Sequence, residues 1–168
     1  LVTVDCGTAS IEPFEHARTL GLDVIVLDHH QAPEVLPSTI AIVNPNRLDD
    51  LSGLGYLCAA GVVFMTLVAL NRRLREQGFW GESRPAPDLL KSLDLVALAT
   101  VADVVPLRGL NRAFVSTGLQ VIRGPGRTGL RALFDAAGLD WPPQAFSLGF
   151  IIGPRINAGG RIGDASLG

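Results

Sequence analysis

The sequence predicts an α/β protein, a parallel β-sheet followed by a mostly helical part. Three observations carry this. Two apolar, β-type runs, Leu1-Val2-Thr3-Val4 and Val24-Ile25-Val26-Leu27, flank a helix-like segment, as in a β-α-β unit with parallel strands. Both runs pass directly into polar residues, Asp5-Cys6-Gly7-Thr8 and Asp28-His29-His30. From residue 57 onward the apolar segments become long and rich in Leu and Ala, as helices require.

Each element has a local reason. Ser10 to Leu20 reads as a short helix: Ser10 can cap it, Pro13 fits the first turn and Gly21 ends it. Residues 31–38, with Pro33 and Pro37, read as a loop. Ala41-Ile42-Val43 is a short third strand, stopped by Asn44-Pro45-Asn46-Arg47. A long helix is predicted over 57–78, apolar almost all round in its first turns and so buried at that end. Residues 79–87 hold Pro, Gly and Ser and form a link. Asp88 can cap a helix over 89–101. Asp103 then lies at a helix C-terminus, where the macrodipole disfavours an anion unless a cation is near. Further helices are predicted over 111–122, over 128–137 with Gly138 closing it, and over 142–151, opened by Pro142-Pro143. Gly153-Pro154-Arg155-Ile156-Asn157-Ala158-Gly159-Gly160-Arg161 reads as one loop.

Composition narrows the class. At 168 residues and 48% hydrophobic content the chain can bury a sizeable core. The longest apolar stretch, Leu57 to Leu70, is too short and too rich in Ala and Gly for a membrane span. Arg72, Arg73 and Arg75 follow it as at the solvated end of a soluble helix, so no membrane partner is expected. No secretory signal pattern is visible, and Cys6 and Cys58 lack metal-type spacing; a reducing cytoplasm without disulfides is the expectation. The chain opens inside a buried-type strand and without Met, and is expected to be part of a longer protein.

The net charge of −2 argues by itself against a nucleic-acid partner, but it is unevenly spread. Residues 1–100 carry 7 basic and 12 acidic groups, and residues 101–168 carry 7 basic and 4 acidic. All the basic groups of the second part are Arg, whose fork suits phosphate. An acidic, metal-collecting half beside an Arg-bearing half fits hydrolysis of a phosphate ester; Arg in place of Lys throughout is equally what a compositional bias would give.

In open α/β sheets ligands bind just outside the carboxyl ends of the strands. Carboxylate with imidazole suits Mn, Zn or Fe better than Ca. A lone Asp after a strand is more often a turn former or helix cap. Two adjacent histidines rarely share one structural job, so Asp28-His29-His30 is the candidate metal locus, with Asp5 and Asp103 as co-ligands. In the Gly-rich tail, Arg155, Asn157 and Arg161 can seat a phosphate with the help of backbone N–H groups. The alternative there is a flexible link, against which Pro154 and the apolar Ile151, Ile152, Ile156 and Ile162 argue.

Asp28-His29-His30 after a strand, Asp5-Cys6-Gly7 upstream and Val101-Ala102-Asp103-Val104-Val105-Pro106-Leu107 downstream together resemble the DHH phosphoesterase superfamily. Val43-Asn44-Pro45-Asn46-Arg47 and the segment from Gly153 to Arg161 are similar to its RecJ-type branch of single-strand-specific DNA exonucleases. The five motifs run in order over essentially the whole chain. The resemblance implies a DHH-type, Rossmann-like sheet, two divalent ions (Mn2+ or Mg2+), and hydrolysis of single-stranded DNA from the 5′ end in DNA repair and recombination. It implies that Asp5 is a carboxylate shared between metals and that His29 and Asp103 bind one of them. Asp28 would assist, as a ligand or by holding one, and His30 would face the scissile phosphate. Arg155, Asn157 and Arg161 would lie along the nucleic-acid path. Residues 1–107 would form a DHH phosphoesterase domain lacking its N-terminal motif, and 108–168 a helical extension towards a DHHA1-type domain. An Asp-x-Asp motif with further ligands is expected before Leu1, so this chain alone is expected to bind metal poorly and to be inactive. Besides single-stranded DNA, a single-strand-binding protein or a helicase is an implied partner. The rival readings are a phosphoesterase for short oligonucleotides or small phosphate esters, and a non-catalytic nucleic-acid-binding scaffold.

Overall fold

Three short strands, β1 (Val2–Val4), β2 (Ile25–Leu27) and β3 (Ala41–Val43), lie side by side in that order and run parallel. Val2 pairs with Ile25 and Ile25 with Ala41, and the register continues to Val4, Leu27 and Val43. All three strands therefore end at one rim. Helix α1 (Ile11–Thr19) connects β1 to β2, which a parallel pair requires. Ser10 takes its N-cap position without a side-chain hydrogen bond, and Gly21, at φ +70°, follows its end. Phe14 and Ala17 of α1 bury themselves with Val24, just before β2, and Val26 within it, and Ile42 packs on them. The long helix is α2 (Ala59–Glu76), buried at its first turns as its apolar N-terminal half predicts.

The structure is a computed structural model and describes residues 1–139 and 142–161. It divides into two units, Leu1–Pro87 with the sheet, and Asp88–Gly168. In the second unit Asp88 caps as expected, accepting from the Leu90 N–H at 3.2 Å. The cap opens a 3₁₀ turn over Leu89–Ser92 that runs on into α3 (Leu93–Ala102). Helices α4 (Gly109–Arg123) and α5 (Thr128–Ala136) follow. Gly118 of α4 lies so close to α3 that a Cβ there would stand 2.2 Å from the Leu93 carbonyl oxygen. The core joins Ala97 and Leu98 to Val115, Ile122, Leu130, Phe134, Leu148 and Ile152.

The tail departs from the sequence expectation. The predicted helix over 142–151 begins later, and the predicted loop over 153–161 is helical. Helix α6 (Ala145–Ser147), opened by a reciprocal Gln144–Ser147 cap, passes through a π-type turn over Leu148–Ile152 into α7 (Gly153–Arg161). The physical reason is packing. Leu148 and Ile152 are fully buried and anchor the run. A Cβ on Gly149 would stand 2.9 Å from Val101 Cγ1, and one on Gly153 3.1 Å from Ala102 Cβ, so these glycines let the run approach α3 instead of breaking it. Pro154 falls in the first turn of α7, where its missing N–H is tolerated, and the widened turn before it relieves the ring. Among the described residues no helix is long and apolar enough to cross a membrane.

Candidate metal centre

The sheet register brings the polar residues after β1 and β2 to one rim. Asp5 N–H donates to the Leu27 carbonyl at 3.0 Å, and Asp28 N–H to that of Val43 at 3.0 Å, so the ladder extends one residue past each strand. Asp5 then turns through a left-handed conformation, φ +65°, which is uncommon for a residue with a Cβ, although Asp tolerates it better than most. Gly7, at φ +117°, completes the turn; a Cβ there would press on Thr3 Oγ1 at 2.7 Å.

Asp28 is 2% exposed and accepts hydrogen bonds on both oxygens. Oδ2 takes the Thr8 N–H at 3.0 Å and the Thr8 hydroxyl at 2.7 Å. Oδ1 takes the backbone N–H groups of His29 at 2.8 Å and His30 at 3.2 Å, and the His30 ring Nδ1–H at 2.8 Å. Burial pushes its carboxyl pKa up, but the hydrogen bonds from Thr8 and His30, side chain and backbone, outweigh that and hold the group ionised far below the usual carboxylate range. An ionised carboxylate only accepts, so His30 carries its proton on Nδ1. Asp28 fixes the turn and the ring of His30 from beneath.

His29 Nδ1 lies 3.1 Å from the Leu57 carbonyl oxygen. A carbonyl cannot donate, so Nδ1 bears the proton, and in the neutral ring Nε2 carries a lone pair. That atom stands 3.1 Å from Asp5 Oδ1. Two lone pairs facing each other at this distance repel unless a proton or a metal ion lies between them. The donor set thus fits a divalent metal: a neutral imidazole oriented through its other nitrogen, with a carboxylate beside it. Asp5, His29 and His30 each offer a ligand atom within 4.8 Å of the others. Asp5 is 62% exposed at its side chain and His29 14%, so the group opens outward from a rigid base.

Two residues that the sequence reading took as a strand stop and part of a family motif, without placing them in the site, complete the base. Asn44 is buried and donates through Nδ2 to Thr8 Oγ1 and to the His30 carbonyl, both at 2.9 Å, while its Oδ1 accepts the Asn46 N–H at 2.8 Å. Asn46 Nδ2 donates to the carbonyls of His29 at 2.6 Å and Gly55 at 3.1 Å. The Asn-Pro-Asn-Arg phrase was the available signal; it ties β3 to the histidine turn. Arg47, its last member, is held on Asp49 by two hydrogen bonds and donates to the Ile42 carbonyl at 2.6 Å.

The other predicted residues lie in the second unit. Asp103 is the C-cap of α3, as expected, and Val104 after it is left-handed at φ +58°. Arg155 and Asn157 are exposed on α7, and Arg155 donates through Nη1 to the Ile151 carbonyl at 2.8 Å. Arg161 is the last residue of α7, and its side chain lies outside the described part. Cys6 and Cys58 are free thiols.

Residues 1–100 match the model of the DHH family, N-terminal domain. The whole chain is 47% identical over 171 residues to the single-stranded-DNA-specific exonuclease RecJ of Escherichia coli (strain K12), of which it spans 30%. It is 39% identical over 164 residues to the RecJ of Thermus thermophilus, spanning 22% of that protein. A crystal structure of exonuclease RecJ bound to manganese aligns with 98% of this chain and 39% of its own, at a TM-score of 0.80 and 38% identity. The Thermus thermophilus RecJ in complex with Mg2+ aligns over 98% of this chain and 21% of its own, at a TM-score of 0.67 and 38% identity. The chain thus spans less than a third of the length of these curated relatives. With its Asp-His-His turn at the rim of a parallel sheet and a family match over 100 of its 168 residues, this chain belongs to the DHH family.

Proposed function

We propose that the protein containing this chain is a metal-dependent hydrolase that cleaves single-stranded DNA from its 5′ end, in DNA repair and recombination. One observation carries the reading: the Asp5 carboxylate faces a His29 ring whose tautomer the Leu57 carbonyl has set for cation binding. The relatives reported above are single-stranded-DNA-specific exonucleases by name, and the aligned RecJ structures hold Mn2+ or Mg2+.

Asp5 and His29 would hold a cation, with Asp103 as a further ligand. Bound Mn2+ or Mg2+ supplies Lewis-acid polarisation of the phosphate and lowers the pKa of the attacking water. The chain's own residues do the positioning. Asp28 anchors the histidine turn through the backbone N–H groups of His29 and His30 and through His30 Nδ1, and His30 would face the bound phosphate. Arg155, Asn157 and Arg161 would contact the strand. The catalytic DHH domain would occupy residues 1–107, with 108–168 a helical extension towards a further domain. A single-strand-binding protein or a helicase is a fitting partner, and the cytoplasm the place of action.

The test is digestion of 5′- and 3′-labelled single strands, and of a dinucleotide, by the full-length protein with Mn2+, Mg2+ or chelator. Metal-dependent loss of 5′ nucleotides from the long strand is expected, abolished in Asp103→Ala with the fold intact. Preference for the dinucleotide, or full activity in Asp103→Ala, would overturn the reading or the role of Asp103 respectively.

A further inference from the structure

Phe146 and Phe150 stand out on the surface of the second unit. They are 63% and 73% exposed, yet their rings stack on each other with centroids 4.8 Å apart and planes within 22°. They begin the same helical run that carries Arg155 and Asn157. Residues 145–161 include two Arg and no acidic residue. Arg155 is clamped to its own helix through the Ile151 carbonyl, so its charge stays close to the helix surface. Arg155 follows Phe150 by five positions, just past the widened turn that ends at Ile152. Paired aromatic faces followed by a fixed cation and an amide complement a polyanion that carries its own π-faces; an apolar protein partner would leave the Arg unanswered.

We propose that Phe146 and Phe150 form a stacking platform for bases of the single strand, with Arg155 neutralising the adjacent phosphate. The proposal rests on the single-strand reading above and adds a binding element to it. Stacking is tolerant of base identity, as digestion of arbitrary sequence demands.

The test measures binding of the full-length protein, in chelator to prevent digestion, to a fluorescent oligo-dT strand and to an abasic strand of equal length. The wild type is expected to favour the base-bearing strand. In Phe146→Ala/Phe150→Ala that preference collapses, with affinity for oligo-dT at least about fivefold weaker and affinity for the abasic strand unchanged. Phe146→Trp/Phe150→Trp retains it. An unchanged preference in the Ala variant overturns the platform and leaves the nuclease reading standing. A fall of many degrees in the variant's thermal midpoint, or loss of a wild-type self-association, also overturns it, because the rings are then covered by protein. A wild-type protein that binds neither strand defeats the single-strand reading itself.

Discussion

Replacing Asp28 with Asn tests the base of the candidate metal centre, because the substitution keeps the shape and removes the charge. Asp28 accepts five hydrogen bonds, two on Oδ2 and three on Oδ1. An amide nitrogen placed towards Thr8 faces a buried N–H and leaves it orphaned, at about 1–3 kcal/mol. Placed towards the histidines it faces three donors, which is worse. The bonds that survive lose their charge assistance, at about 1 kcal/mol each. Relief of carboxylate burial returns part of this. A net loss of about 3 kcal/mol follows, or roughly 6–12 °C in the thermal midpoint of a 168-residue chain. Differential scanning calorimetry and urea titration measure it, with Mn2+ titration alongside, since the turn that carries His29 loses the charged acceptor of its backbone N–H and affinity should fall with stability. A variant within about 0.5 kcal/mol of wild type, the range of ordinary surface changes, would refute the idea that this carboxylate organises the turn.

Further outcomes follow from backbone and packing. Gly118→Ala forces a methyl against the Leu93 carbonyl, a backbone atom that no rotamer can move, and should cost about 1–3 kcal/mol as α3 and α4 part. Gly129→Ala, in α5 with open space around it, should instead stabilise by about 0.5–1 kcal/mol in the same urea assay. Val104 is left-handed and 87% exposed, so its strain gains no packing within the described chain. Val104→Asn should raise stability by about 1 kcal/mol, read as a higher thermal midpoint; a fall would mean that the valine side chain has a use in the fold.

The sheet and the rim were legible because they rest on local patterns. An apolar β-type run ending in Asp appears twice, at Val4-Asp5 and Leu27-Asp28, and parallel pairing in register brings both ends together. The third strand and the position of Asp103 at a helix end were legible for the same reason. The supporting bonds were not. That Asn44 reaches Thr8, 36 residues away, and that the Leu57 carbonyl sets the His29 tautomer, depend on tertiary approach that no spacing reports. The tail misled because Gly-rich sequence ordinarily breaks helices. Gly149 and Gly153 here serve close contact with Val101 and Ala102, and the burial of Leu148 and Ile152 outweighs the low propensity around them.

The facing pair of Asp5 and His29 is what a cation at this rim requires, and calorimetric titration of Mn2+ into the full-length protein tests it most directly. Removing a group that merely orients a metal ligand typically costs 10–100-fold in affinity, and removing a ligand itself should cost no less. Asp5→Ala and His29→Ala should therefore each weaken binding by at least about tenfold, while Asn157→Ala leaves it unchanged. Wild-type affinity in both of the first two variants would contradict a cation at this rim.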